Sequence, residues 1–271
     1  MDKPKKPLAG TALIPNAGIA LAFQNPLIEA LAEMHSQVSR VMLKVFTEHV
    51  GLDGIGMDAN PASQARIALA ALSRKWDKRF AALSNSLVDR MIDQTLKHST
   101  ATLESSLKVI SEQIKVRETL SDPAVKTVIQ ASTQQAAQLI KLIPAEYLGK
   151  VQGEVMRALT TGRGQADLIP FFTKEYNGRV KWARQVALDQ TRKAYSTINR
   201  VRLEKVGVKR YEWLHSGGAK EPRKDHIAMN GKIFEYNNPP VIDQRTGERG
   251  NPGDAINCRC VAKPIFDFDL D

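Results

Sequence analysis

Apolar residues recur at helical spacing through most of the chain. Between 26 and about 50, Leu27, Leu31, Met34, Val38, Val41 and Val45 follow one another at three or four residues, which is one face of a helix, and Gly51, Gly54 and Gly56 end it. A second amphipathic run over 61–98 opens on Asn60-Pro61, a cap residue and a first-turn proline, and carries a stripe of Trp76, Phe80, Leu83, Leu87 and Met91. The pattern predicts a further helix over 99–118. Ser121-Asp122-Pro123 caps the next one, which runs towards Ile143 before Pro144 interrupts it. Gly149 and Gly153 leave the stretch to Ala158 without a clear assignment. Thr160 to Gly164 reads as a turn, 167–176 as a short helix with Pro170 in its first turn, and 178–206 as the last long helix, with Val180, Ala183, Ala187, Ala194, Ile198 and Val201 on one face.

After Gly207, a glycine suited to end a helix, the period changes. Segments 208–214, 232–236 and 257–264 read as strands separated by loops rich in Gly and Pro. The fold class is therefore α+β: a mostly helical N-terminal two-thirds followed by a small, loop-rich, β-containing C-terminal part. Residues 1–24 read as an extended arm that depends on a partner, 25–160 as a helical region, and 161–271 as a second domain made of the long helix 178–206 and a small β region over 207–266. No internal repeat breaks this plan.

Composition narrows the reading. The 271 residues carry 39 Lys and Arg against 29 Asp and Glu, a net charge of +10, which favours an acidic partner and makes contact with nucleic acid an option. Eight of those bases fall in 178–206 against Asp189 and Glu204; a solvated basic face is the plain reading, a phosphate-binding surface the sharper one. No run approaches the roughly 18–20 apolar residues that span a bilayer, so a soluble protein with no membrane contact is expected. Lys3, Lys5 and Lys6 ahead of 13–23 resemble a signal peptide only superficially, since Pro15 and Asn16 split the apolar run. Two cysteines make no disulfide framework and point to assembly in a reducing cytoplasm.

The segment 213–260 concentrates the residues that build sites. His215 and His226 bracket a loop that Gly217, Gly218 and Pro222 keep from being one helix, and Cys258 and Cys260 return as a C-x-C pair. Two imidazoles and two thiolates are a tetrahedral zinc ligand set, with zinc in a structural role. Two other readings stay open: cysteines as small buried hydrophobes, or a C-x-C disulfide closing a small, strained ring. Asn230-Gly231 reads as a turn dipeptide in which both residues tolerate positive φ. Arg223 can pair with Asp189, with Asp225 or with a phosphate, structural pairing being the plainer use. Asn257 is expected to hydrogen-bond the backbone around the C-x-C turn.

The ordered residues R-Q-V-A-L-D-Q-T-R-K-A, G-V-K-R-Y-E-W-L-H-S-G, K-E-P-R-K-D-H, N-G-K-I-F and N-P-G-D-A-I-N-C-R-C, spread over 167–264, resemble the phage Mu F-like minor head proteins, also called head morphogenesis proteins. The resemblance implies a structural virion protein rather than an enzyme. Such a protein is present in several copies per virion, associates with the portal and other head proteins, and assists head assembly, DNA packaging or ejection. The matching positions are Asp189, Gln190, Thr191, Trp213, Arg223, His226, Asn230, Gly231, Asn257, Cys258, Arg259 and Cys260. Two alternatives belong to other classes. One is a metal-dependent nuclease or toxin-like enzyme built on His215, Asp225, His226 and the cysteines. The other is a non-specific DNA-binding protein with no place in a virion.

Overall fold

A computed structural model describes residues 8–50, 61–108, 115–161, 163, 165–218 and 221–266. Four long helices dominate: α1 (Ala17–Val50), α2 (Pro61–Lys108), α3 (Pro123–Thr161) and α4 (Gln165–Lys205), with a 3-10 turn at Val116–Ser121. Strand β1 (Leu8–Ala9) precedes them. After α4 come β2 (Arg210–Leu214), the short helix α5 (Lys224–Ala228), β3 (Ile233–Glu235), β4 (Val241–Asp243), β5 (Glu248–Arg249) and β6 (Val261–Phe266). This is the α+β class read from the sequence.

The chain forms two compact units, one of residues 21–89 and 135–187, the other of residues 1–20, 90–134 and 188–271. The first is helical among its described residues apart from Arg163. Its core is Leu27, Leu31, Trp76, Phe80, Tyr147 and Phe172, each at most 1% exposed, and Trp76 Nε1 donates to Gln37 Oε1 at 3.0 Å so that the indole is buried without an unpaired donor. On α1 the buried stripe passes from Val38 to Met42 rather than Val41, as 3.6-residue periodicity drifts along a long helix.

Three helix boundaries differ from those the sequence predicts, each because tertiary packing outweighs a local signal. Ser99 does not begin a new helix. It sits inside α2, fully buried, where its Oγ donates to Asn199 Oδ1 (2.5 Å) and accepts from Arg202 Nη1 (2.6 Å). Pro144 does not interrupt α3: the helix continues to Thr161, because the one backbone bond that proline removes is outweighed by burial of Ile140, Ile143, Tyr147 and Val151 around it. The helices expected at 167–176 and 178–206 are one helix, α4, with Pro170 in its second turn and Gly178 inside it.

The extended arm is also corrected. Residues 17–24 are helical, and Ile19, Ala20 and Phe23 are buried. Upstream, Leu8 and Ala9 pair with Phe266 and Ile265 of β6, Gly10 N donates to Pro264 O (2.9 Å), Leu13 N to Ala262 O (3.0 Å), and Thr11 N to Ser106 Oγ (2.9 Å). The segment completes a sheet within the chain. Residues 1–7, the glycines at 51, 54 and 56, and 109–114 of the expected 99–118 helix lie outside the described residues.

Other local signals hold. Asp122 Oδ1 accepts from Ala124 N at 2.8 Å, so Asp122-Pro123 is the cap and first-turn pair of α3. Gly207 (φ +85°) ends α4: its N–H reaches Glu204 O and that of Val208 reaches Leu203 O, the paired bonds of a left-handed helix stop.

The second unit holds the sheet, antiparallel in the order β1-β6-β2-β3, with β4 and β5 as a separate two-stranded ribbon. The R-Y-E-W-L alternation of β2 puts Tyr211 and Trp213, both fully buried, on the core face and Glu212 on the other, where Lys263 Nζ meets its carboxylate at 3.1 Å. The third strand begins at Val261 rather than at 257, and Cys258 to Cys260 precede it as a loop. The ribbon and α5 are too short to leave a periodic signal.

Candidate metal centre

The centre is built where β2 ends, α5 turns and the loop into β6 returns. The inward alternation that buries Trp213 places His215 two residues on, just past the strand. Its backbone N–H donates to Asn230 Oδ1 (2.8 Å), and Gly231 N donates to Trp213 O (2.8 Å), so the Asn230-Gly231 turn is fastened to the end of β2. Only Gly231 takes a positive φ (+76°); Asn230 contributes its side chain. The five-residue helix α5 delivers His226, 3% exposed, edge-on to the Trp213 indole at 5.4 Å between centroids.

The C-x-C loop is held from α4. Asp189 is buried, pairs with Lys193 Nζ at 3.2 Å, and accepts the backbone N–H of Asn257 at 2.5 Å. Arg223 Nη2 donates to Ile256 O at 2.9 Å. The expected pairing of Arg223 with Asp189 or Asp225 is therefore corrected; Asp225 instead accepts from Gln244 N at 3.0 Å. Asn257 is corrected too. Its side chain is exposed, and its contribution is a left-handed backbone (φ +58°), which asparagine tolerates better than other side-chain-bearing residues. That bend turns Cys258 inward, and Cys258 N closes the turn on Ala255 O (3.0 Å).

The ligating atoms of His226, Cys258 and Cys260 lie within 4.8 Å of one another, all three residues buried. His226 Nδ1 is 3.6 Å from Cys258 Sγ and 3.5 Å from Cys260 Sγ, and His215 Nδ1 is 3.6 Å from Cys260 Sγ. His215 thus stands at the half-exposed flank of a three-residue cluster rather than equally inside it. A tetrahedral ion with metal–sulfur bonds of about 2.3 Å and metal–nitrogen bonds of about 2.0–2.1 Å holds its S and N ligands about 3.5 Å apart. The cluster has that spacing and can hold a metal ion. Both cysteines are free thiols, which sets aside the disulfide.

The charges make the same point. The Cys260 thiol donating to Cys258 draws the latter's pKa down to about 4 against the cost of burial, with help from His226 and from the backbone of Gly253 and Cys260. The same contact, burial and the charge on Cys258 push Cys260 far up. The two sulfurs are adjacent and buried, a setting in which a cation between them would favour the thiolate form of both. His226 Nδ1 faces sulfur, while its buried Nε2 has no hydrogen-bond partner among the described residues.

Several supports carry little sequence signal. Gly253 (φ +95°) lies so close to Ser196 of α4 that any Cβ there would collide with the serine side chain. Asp254 accepts from Asn251 N (2.8 Å) and pairs with Arg200 (3.0 Å). Arg259 donates to Gly218 O, tying the two loops together. The N-P-G-D run marks a turn, but not what the turn rests on.

Residues 149–263 match a family model described as Phage Mu protein F like protein. A protein of Haemophilus influenzae, described as uncharacterised, is 35% identical over 147 residues, which are 54% of this chain and 31% of the relative. The chain therefore spans less than a third of that relative's length. No solved structure matches. The matched segment contains the whole of α4, His215, His226, both cysteines and the Asp189 and Arg223 supports, and over it the chain is similar to the phage Mu F-like proteins.

Proposed function

We propose that the chain is a structural minor head protein of a tailed phage, present in several copies per virion, which associates with the portal and other head proteins and assists head assembly, DNA packaging or ejection. The observation that carries this reading is the family match over 149–263, which contains every residue of the His–Cys cluster. In this reading the cluster binds zinc through His226, Cys258 and Cys260, with His215 as fourth ligand, and the ion is structural. Sulfur and imidazole donors at tetrahedral spacing suit zinc, and four protein ligands leave no position for a water or substrate. The ion would cross-link the end of β2, α5 and the loop into β6, beside the core that Tyr211, Trp213, Met229, Tyr236 and Ile242 form.

The nuclease-like alternative draws less support. Asp225, its candidate base, is engaged with the backbone of Gln244, and no carboxylate joins the His–Cys cluster among the described residues. For DNA, much of the basic charge of α4 is already committed. Arg179, Lys193, Arg200 and Lys205 are in ion pairs and Arg202 is buried. Contact with packaged DNA is thus an accessory property. Among the described residues no helix is long and apolar enough to cross a membrane. The test is mass spectrometry of purified virions from a phage encoding this chain, with copurification of its portal. Presence in the head with portal is the expected result; absence from virions would overturn the assignment.

A further inference from the structure

Away from the His–Cys cluster, the second unit contains a small cavity of about 20 Å³ lined by Leu13, Tyr195, Asn199, Tyr236, Asn251 and Ala262 among others. Three of these residues, each at most 5% exposed, present a buried polar atom without a hydrogen-bond partner among the described residues: Asn199 Nδ2, Tyr236 Oη and Asn251 Oδ1. Leaving three such groups unpaired in a native interior is costly, and a void of at least about 10–15 Å³ open to water centres suffices for one molecule. We infer that this cavity is a binding site for one ordered water molecule, which joins α4 to the loop that leads into the C-x-C turn.

The orientation of the amides fixes the chemistry of the occupant. Arg202 Nη1 donates to Ser99 Oγ (2.6 Å), so the Ser99 hydroxyl proton is free to go to Asn199 Oδ1 (2.5 Å), leaving the Asn199 NH₂ as the unpaired group of this cavity-lining residue. Tyr195 Oη, bonded to Thr102, lies near enough to the Asn199 amide for a weak hydrogen bond that holds down the tyrosine pKa, but the Asn199 Nδ2 keeps no well-formed partner among the described residues. Asn251 Nδ2 donates to Tyr236 O (3.3 Å), which leaves Asn251 Oδ1 as an acceptor. Ser196 and the Arg200–Asp254 ion pair, whose charges cancel, also line the cavity, and the groups left unpaired are one donor, one acceptor and a hydroxyl that can be either. A bare cation is disfavoured by the amide N–H, and an anion by the carbonyl oxygen. Water satisfies all three. The result is one continuous polar chain, from the buried Arg202 guanidinium through Ser99, Asn199 and the water to Asn251, whose backbone N–H is held by Asp254.

The test is a crystal structure of the full chain at about 1.5 Å or better, combined with ¹⁷O relaxation dispersion of the solvent. The expected result is one density peak, without anomalous signal, at about 2.7–3.2 Å from all three atoms, and a slowly exchanging water in solution. Tyr236→Phe removes one of the three partners and should speed that exchange about fivefold or more. An empty cavity, a peak with metal-like distances, amides turned to bond each other directly, or exchange unchanged in Tyr236→Phe would each overturn the inference. Should Tyr236→Phe fail to fold, the wild-type density decides alone.

Discussion

Asp189 and Arg223, 34 positions apart in sequence, hold the two ends of a single peptide group. The Asp189 carboxylate accepts the N–H of Asn257 at 2.5 Å, and the Arg223 guanidinium donates to the carbonyl of Ile256 at 2.9 Å. That peptide precedes the left-handed residue that turns Cys258 inward. The clamp sets the direction in which the chain enters the C-x-C pair, the kind of support that fixes ligand geometry around metal sites.

Asp189→Ala should therefore lower zinc affinity about 10- to 100-fold in a chelator competition assay and lower stability by about 1.5–3 kcal/mol in urea unfolding, because the Asn257 N–H loses a charged acceptor. Arg223→Ala, at an exposed position, should cost less on both counts. Equal metal affinity in wild type and Asp189→Ala would remove the clamp from the account.

The N-terminal segment is expected to act as a sheet edge. Removing residues 1–14 strips the partners of β6 at Phe266 and Ile265, removes the buried Leu13, and exposes an unpaired edge, a known route to aggregation. Thermal unfolding with light scattering should show a lower midpoint and earlier aggregation in the truncated protein. A truncation that keeps its midpoint but loses portal binding would restore the reading of this segment as a docking arm.

Much of this fold was legible because local and tertiary preferences agree. Asp122-Pro123, Gly207 and the alternation of β2 each carry their structural meaning within a few residues. Pro144 carried a misleading signal, since a packed core outweighs a lost backbone bond, and the boundary expected at 99 falls inside α2, where a buried hydrogen-bond network holds Ser99. At the site, the His–Cys ligand types were readable from residue chemistry, but the target of Arg223 was not, because a backbone carbonyl leaves no trace in side-chain identity. Asn257 was singled out for its side chain, whereas its use is conformational.

Alkaline pH should destabilise the fold through its buried tyrosines. Burial raises the pKa of Tyr147, Tyr195, Tyr211 and Tyr236 above the ordinary 10.0. Above pH 10 the unfolded chain releases phenolic protons that the folded chain keeps, so stability is intact below that value and falls as pH rises beyond it. Titration at 295 nm, followed with circular dichroism, should show these four ionising together with unfolding. Free ionisation near pH 10 with the helices intact would contradict their placement.

DNA binding should be weak and steeply salt-dependent. On α4, Lys181 and Arg184 are exposed and have no ion pair among the described residues. Replacing both with glutamine should reduce the slope of log K against log salt by about 2. An unchanged slope would move any DNA contact off this helix.

The measurement that bears most directly on the central claim is zinc K-edge X-ray absorption on protein purified without chelator, together with metal analysis. The account predicts one zinc per chain, with two sulfur ligands at about 2.3 Å and two nitrogen ligands at about 2.0–2.1 Å. His226→Ala should release the metal more completely than His215→Ala, since His226 Nδ1 lies near both sulfurs and His215 near one. Protein free of metal, with Cys258 and Cys260 both freely reactive and the region after Gly207 still folded, would contradict the claim and make these cysteines ordinary buried side chains.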